Sequence, residues 1–187
     1  MSMTQRTITV PEQLRARATE HPDRPFIVEA GGRGVSYGEF HAESLTWAAA
    51  YRSLGLGAGD TVMSMVSPSV MSFASWIGMC WVRVIEASCN TEYRGQMLTY
   101  LLNHSRCKVA VVDAQFVDRL VAVAGDAPDL ETVVVLGAFD GVGQAPFRVI
   151  TAAELLAGVE PARDLEPLEP WDIAMMIYTS GTTGPSK

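Results

Sequence analysis

The apolar positions of this chain fall into short continuous runs set between longer amphipathic stretches. Residues 60–66, 84–88, 109–113, 132–136 and 173–178 are runs of strand length, rich in Val, Ile and Met. They do not alternate with polar residues, which predicts strands buried on both faces. Between them, helical spacing predicts helices over 69–82, 94–104, 116–124 and 151–157. Helix and strand take turns along the chain. That order predicts an α/β fold, a mostly parallel sheet with helices on both faces.

The first third adds a separate start. Residues 11–21 form a short helix opened by Pro11 and closed by His21-Pro22-Asp23. A strand over 26–29 turns at Gly31-Gly32 back into Val35. Ser36 and Glu39 have the spacing of a capping box, and Val35 and Phe40 that of a hydrophobic staple. The helix they open carries Phe40, Trp47, Tyr51 and Leu54 near one face and stops at Gly55. Ser67-Pro68-Ser69 opens the next helix, which is apolar nearly all round and therefore buried between the sheet and another layer. Its apolar core is too short to cross a bilayer. Residues 165–170, Leu-Glu-Pro-Leu-Glu-Pro, read as an extended connector into the final strand.

Composition narrows the partners. The formal charge is −7 over 187 residues, and only Lys108 and Lys187 of the fourteen basic residues are lysines. With no basic run, nucleic acid and anionic membrane are not expected partners. The N-terminus lacks an apolar signal core, so a cytoplasmic protein is expected. Cys80, Cys89 and Cys107 lack metal-binding spacing and are read as small buried hydrophobes. The histidines form no constellation: His21 and His104 fall at helix ends, and His41 is expected on a solvated helix face.

The chemistry is concentrated after the last strand. Tyr178 is followed by Thr179-Ser180-Gly181-Thr182-Thr183-Gly184-Pro185-Ser186-Lys187. Glycines let the backbone approach a ligand, hydroxyls and N–H groups donate to phosphate oxygens, and lysine adds a mobile charge. A polyphosphate fits these donors. The string is not the P-loop of NTPases, in which Gly immediately precedes Lys and Ser/Thr follows it.

Thr179-Ser180-Gly181-Thr182-Thr183-Gly184-x-x-Lys187 resembles the phosphate loop of the adenylate-forming superfamily: acyl-CoA synthetases, adenylation domains of peptide synthetases, and luciferases. Residues 35–40 resemble the first motif shared by these enzymes. Residues 85–95, Ile-Glu-Ala-Ser-Cys-Asn-Thr-Glu-Tyr-Arg-Gly, resemble the second in a form close to crotonobetaine/carnitine-CoA ligases. Two positions depart from the pattern, Arg83 where Gly is usual and Ser88 where Pro is usual. The Asn90 to Gly95 string has two readings, a site lining or a polar turn opening the next helix.

The resemblance implies a two-step ligase using ATP, Mg2+ and coenzyme A. A carboxylate attacks the α-phosphorus, pyrophosphate leaves, and a thiol displaces AMP. Thr179, Ser180, Gly181, Thr182, Thr183, Gly184 and Lys187 are then the ATP phosphate-binding residues, with no catalytic residue and no metal ligand in this chain. Residues 1–187 correspond to the first part of the large N-terminal AMP-binding domain. The acyl pocket, the adenine site and the C-terminal domain lie further on in the family. The chain alone is therefore expected to be inactive and to bind ATP weakly or not at all, with the residues from about Ser180 onward poorly held. A terminal carboxylate on Lys187 would oppose the lysine's own charge. An end after lysine in a Gly/Thr loop fits a trypsin-like cut, with a truncated reading frame as the rival explanation. Two other functions stay open. One is a non-catalytic interaction module that self-associates through surface exposed by truncation. The other is an acyl-AMP ligase or carrier-protein loader.

Overall fold

The computed structural model describes residues 9–178. Helix α1 spans Val10–Glu20, capped by Thr9, whose hydroxyl accepts from the Glu12 N–H while the Glu12 carboxylate reaches back to the Thr9 N–H. Strands β1 (Pro25–Val28) and β2 (Gly34–Ser36) form the expected antiparallel hairpin. Helix α2 (Tyr37–Ser53) opens on the predicted capping box. The Ser36 N–H donates to Glu39 Oε2 at 2.8 Å, and the Glu39 N–H donates to Ser36 Oγ at 3.3 Å. Val35 and Phe40 are both buried in one cluster, as a staple requires. Gly55 ends the segment at φ +78°, a conformation that favours glycine.

Six parallel strands form the main sheet: β3 (Thr61–Met65), β4 (Ile85–Ser88), β5 (Val109–Asp113), β6 (Thr132–Leu136), β7 (Arg148–Thr151) and β8 (Met175–Ile177). Their order across the sheet is β7-β6-β5-β3-β4-β8. Five of the six coincide with predicted runs. The sequence pattern did not reveal β7, an edge strand with no buried residue that follows a Gly- and Pro-containing loop. The last strand is shorter than the expected 173–178, because its register with β4 runs only from Met175 to Ile177, with the Ala174 carbonyl accepting the first bond from the Glu86 N–H.

Helices cover both faces of the sheet, but β8, expected to be buried on both faces, is partly exposed at Ile177 because it is an edge strand. Helices α1, α2, α3 (Val70–Trp81) and α6 (Ala152–Leu156) bury Leu14, Trp47, Ile77 and Leu155 against Val62, Val84, Val109 and Val111. On the other face, α4 (Gly95–Ser105) and α5 (Val117–Val123) bury Leu98, Leu101 and Leu120 against Met63, Met65, Ala87 and Val112. The three cysteines are free and buried, as expected. His41 is not on a solvated face. It is half-buried edge-on to Trp81 at 5.8 Å, and burial holds its pKa below the usual histidine range. The reason is that α1 and α3 flank α2, so only a narrow strip of α2 remains wet.

After α6 the chain crosses from β7 at one edge to β8 at the other. Five inter-strand steps amount to about 24 Å, and the crossing is made largely without regular structure. It is tied to the helices beneath it. The Ala162 N–H donates to the Leu45 carbonyl at 3.0 Å, Arg52 donates to the Asp164 carbonyl at 3.2 Å, and Leu168 is buried. The expected connector at 165–170 is thus a strap over α2 and α3.

The closest constraint in this layer is at Gly78, where a Cβ would stand 2.4 Å from Trp47 Cβ and 3.1 Å from the Ala48 nitrogen. Gly78→Ala is expected to destabilise the fold by about 1–3 kcal/mol through overpacking, although alanine is the better helix former. Urea denaturation checks it; an unchanged or raised midpoint would contradict the packing.

Candidate functional site

In an open parallel sheet, ligands gather where the strands' carboxyl ends meet loops. Here that edge is assembled from β3, β4, β5 and β8. The Ser67 N–H donates to Asp113 Oδ2 at 2.8 Å, bridging the ends of β3 and β5. The N-terminus of α3 is already occupied, since the Val70 N–H donates to Glu29 Oε1 at 2.6 Å and Ser69 and Ser72 cap each other. That helix end already has an anionic partner.

The turn after β4 is built from its own polar residues. Asn90 accepts the Glu92 N–H through Oδ1 and the Tyr93 N–H through its carbonyl, both at 2.9 Å. Arg119 of α5 donates to the Thr91 carbonyl and pins the turn to α5. Residues 90–94 are thereby the polar turn that opens α4. Unlike α3, α4 starts at Arg94 with no side-chain cap, and Gly95 and Gln96 are exposed. Its first N–H groups and the positive end of its dipole face the same edge.

Beside this turn, β8 pairs with β4 through Glu86↔Met175, Ala87↔Met176 and Ser88↔Ile177. The next residue, Tyr178, is half-buried, with its hydroxyl 3.0 Å from His104 Nδ1 and its ring edge-on to the imidazole. His104 in turn stacks on Tyr100. Burial pushes the Tyr178 phenol above its ordinary range, so it stays neutral. This aromatic group fixes the point at which the chain leaves the sheet. Spacing gave no signal for it, because its members lie far apart in sequence.

The predicted phosphate-binding residues Thr179, Ser180, Gly181, Thr182, Thr183, Gly184 and Lys187 lie outside the described residues, as does the segment expected to be poorly held from Ser180. Connectivity alone attaches them to Tyr178. Among the described residues, no group of three or more His, Cys, Asp or Glu side chains could hold a metal ion. No helix among them is long and apolar enough to cross a membrane.

The model of the AMP-binding enzyme family matches residues 14–187. The chain belongs to that family. It is 32% identical over 165 residues to 3-hydroxybenzoate–CoA ligase of Aromatoleum sp. (strain CIB), covering 88% of this chain and 30% of that protein. It is 28% identical over 186 residues to 3-hydroxybenzoate–CoA/4-hydroxybenzoate–CoA ligase of Thauera aromatica, covering 95% and 35%. Among solved structures, an anthranilate CoA ligase in complex with anthranoyl-AMP superposes with a TM-score of 0.84 at 20% identity, over 94% of this chain and 33% of that one. At that identity the match establishes the fold, that of the N-terminal region of such ligases. The chain spans about a third of the length of the curated relatives it matches.

One buried carboxyl lies on β4 away from the edge. Glu86 accepts a hydrogen bond from Ser64 Oγ under α2 and α3, near the buried Tyr51–Ser75 hydroxyl pair at 2.6 Å. Burial pushes its pKa above the usual carboxylate range, partly offset by Ser64. The folded state thus holds a proton that the unfolded state has released, and stability falls as pH rises from the ordinary carboxylate pKa through the raised one. Glu86→Gln is therefore expected to gain on the parent over the range that runs upward from the ordinary carboxylate pKa to the raised one. A stability difference constant across that range would show that Glu86 is ionised in the fold.

Proposed function

We propose that this chain is the N-terminal portion of an ATP-dependent acid–thiol ligase. The enzyme joins a carboxylate to ATP as an acyl-adenylate, releases pyrophosphate, and passes the acyl group to coenzyme A. The observation that carries the reading is the family match across residues 14–187, ending on a hydroxyl-, glycine- and lysine-bearing string directly after β8. Thr179, Ser180, Thr182, Thr183 and Lys187 supply donors suited to the β- and γ-phosphates, and Gly181 and Gly184 permit their close approach. The uncapped start of α4 on the same sheet edge supports an anionic ligand. Mg2+ would accompany the nucleotide and neutralise the departing pyrophosphate; no described residue is assigned to it.

The acid is a carboxylic acid whose class two observations bear on. Residues 85–95 resemble crotonobetaine/carnitine-CoA ligases, whereas the two relatives above are hydroxybenzoate–CoA ligases. An acid panel should therefore contain both aromatic and short aliphatic acids. Coenzyme A is the proposed acceptor over a carrier protein. A second reading, a folded interaction module, draws on the exposed Trp171, Ile173 and Ile177 at or near the β8 edge. Concentration-dependent size exclusion tests that self-association.

Acid-dependent ATP–pyrophosphate exchange is the test. The full-length enzyme should exchange with at least one acid, and Lys187→Ala should slow it about a hundredfold. The 187-residue chain alone should not exchange at all. Exchange by the chain alone would overturn the assignment as a portion. Acid-stimulated release of ADP by the full-length enzyme, with no exchange, would overturn the chemistry.

A further inference from the structure

Arg83 stands in the turn between α3 and β4 at φ +56°, the left-handed region that a side chain with a Cβ rarely adopts. Glycine would take that backbone without strain. The Arg83 carbonyl accepts from the Gly59 N–H at 3.0 Å, so the turn is bound to the approach of β3 and cannot easily relax. The side chain has a compensating role. Nη1 donates to Glu166 Oε2 at 2.6 Å, Nη2 to the Pro167 carbonyl at 2.6 Å, and Nε to Asp172 Oδ2 at 3.2 Å. Asp172 Oδ2 also accepts the Glu169 N–H at 2.8 Å, closing the last turn before β8. One planar guanidinium thus grips both ends of residues 166–172.

We propose that Arg83 is a positioning residue, which sets where β8 joins β4 and hence where the segment after Tyr178 begins. Strand β8 has only three paired residues at a sheet edge, too few backbone bonds to fix its own place. The turn holding Arg83 also launches β4, whose first residue is Ile85. Both strands are therefore referenced to one residue. The catalytic readout below rests on the proposed ligase activity, while the exchange readout does not.

Arg83→Gly removes the guanidinium and relieves the backbone, so it should fold. Arg83→Lys keeps the charge without the fork. Amide hydrogen exchange of the chain is measured by peptide, with urea denaturation alongside. Arg83→Gly should speed exchange in residues 164–178 about tenfold, leave β5 and β6 peptides unchanged, and not lower the midpoint. Arg83→Lys should fall between. In the full-length enzyme, Arg83→Gly should raise KM for MgATP about tenfold and leave KM for the acid unchanged. Unchanged exchange in 164–178, or equal acceleration in β5 and β6, overturns the anchoring. Local acceleration with an unaltered KM for MgATP overturns the link to the phosphate segment. Absence of pyrophosphate exchange in the unmutated enzyme overturns the ligase reading alone, and the hydrogen-exchange result still decides the anchoring.

Discussion

A parallel sheet whose final strand lies at the opposite edge from the strand before it obliges the chain to travel across an entire face. In this protein the travelling segment has no helix of its own after α6, so its path is defined by what it crosses. Leu45 and Arg52 of α2 hold its first half, and Arg83 after α3 holds its second. The path is reproducible only if α2 and α3 have one spacing. That spacing is set where Gly78 admits the backbone and side chain of Trp47 without a Cβ between them. The close approach at Gly78 thus fixes the spacing of the two helices that the strap crosses.

Several buried polar groups of this layer are paired across it, while Trp47 Nε1 and Trp76 Nε1 are buried without a partner. Tyr51 and Ser75 satisfy each other, Ser64 satisfies Glu86, and Trp81 Nε1 donates to Ser44 at 3.0 Å. These pairs lie between α2, α3 and the sheet, and buried hydrogen bonds of this kind restrict a core to one arrangement more than they add stability. The opposite face is apolar by contrast, and its polar work is done at the rim, by the Asn90 turn, Arg119 and the Tyr178–His104 contact. The α3 N-terminus is capped by Glu29 and Ser69, whereas α4 has no side-chain cap.

Much of this was legible in the residues. Continuous Val/Ile/Met runs disclosed five parallel strands, four of them with a buried core and β8 partly exposed at the edge, and the Ser36/Glu39 spacing disclosed a helix start to the residue. The features that escaped detection share a cause. Strand β7 offers only Val149 and Ile150 as adjacent apolar residues, too short a run to leave a pattern, and the Thr9 cap was overshadowed by Pro11. The Arg83 clamp joins residues 83 positions apart from Glu166 and 84 from Pro167, and the Tyr178–His104 contact spans 74. Periodicity reports which face is buried, not which distant side chain a charge will meet. The departure of Arg83 from the usual glycine was visible, but its meaning required the backbone angle and the strap together. The candidate phosphate-binding residues themselves were read from composition and resemblance, and only their point of departure at Tyr178 is fixed by the fold.

The central claim is that a carboxylate attacks the α-phosphorus of ATP in the enzyme that this chain begins. Transfer of isotope from an 18O-labelled carboxylic acid tests it directly. Attack at the α-phosphorus, followed by displacement of AMP, must leave one labelled oxygen in AMP and none in phosphate or pyrophosphate. Label in inorganic phosphate, with ADP as the nucleotide product, would mean attack at the γ-phosphorus and would contradict the account.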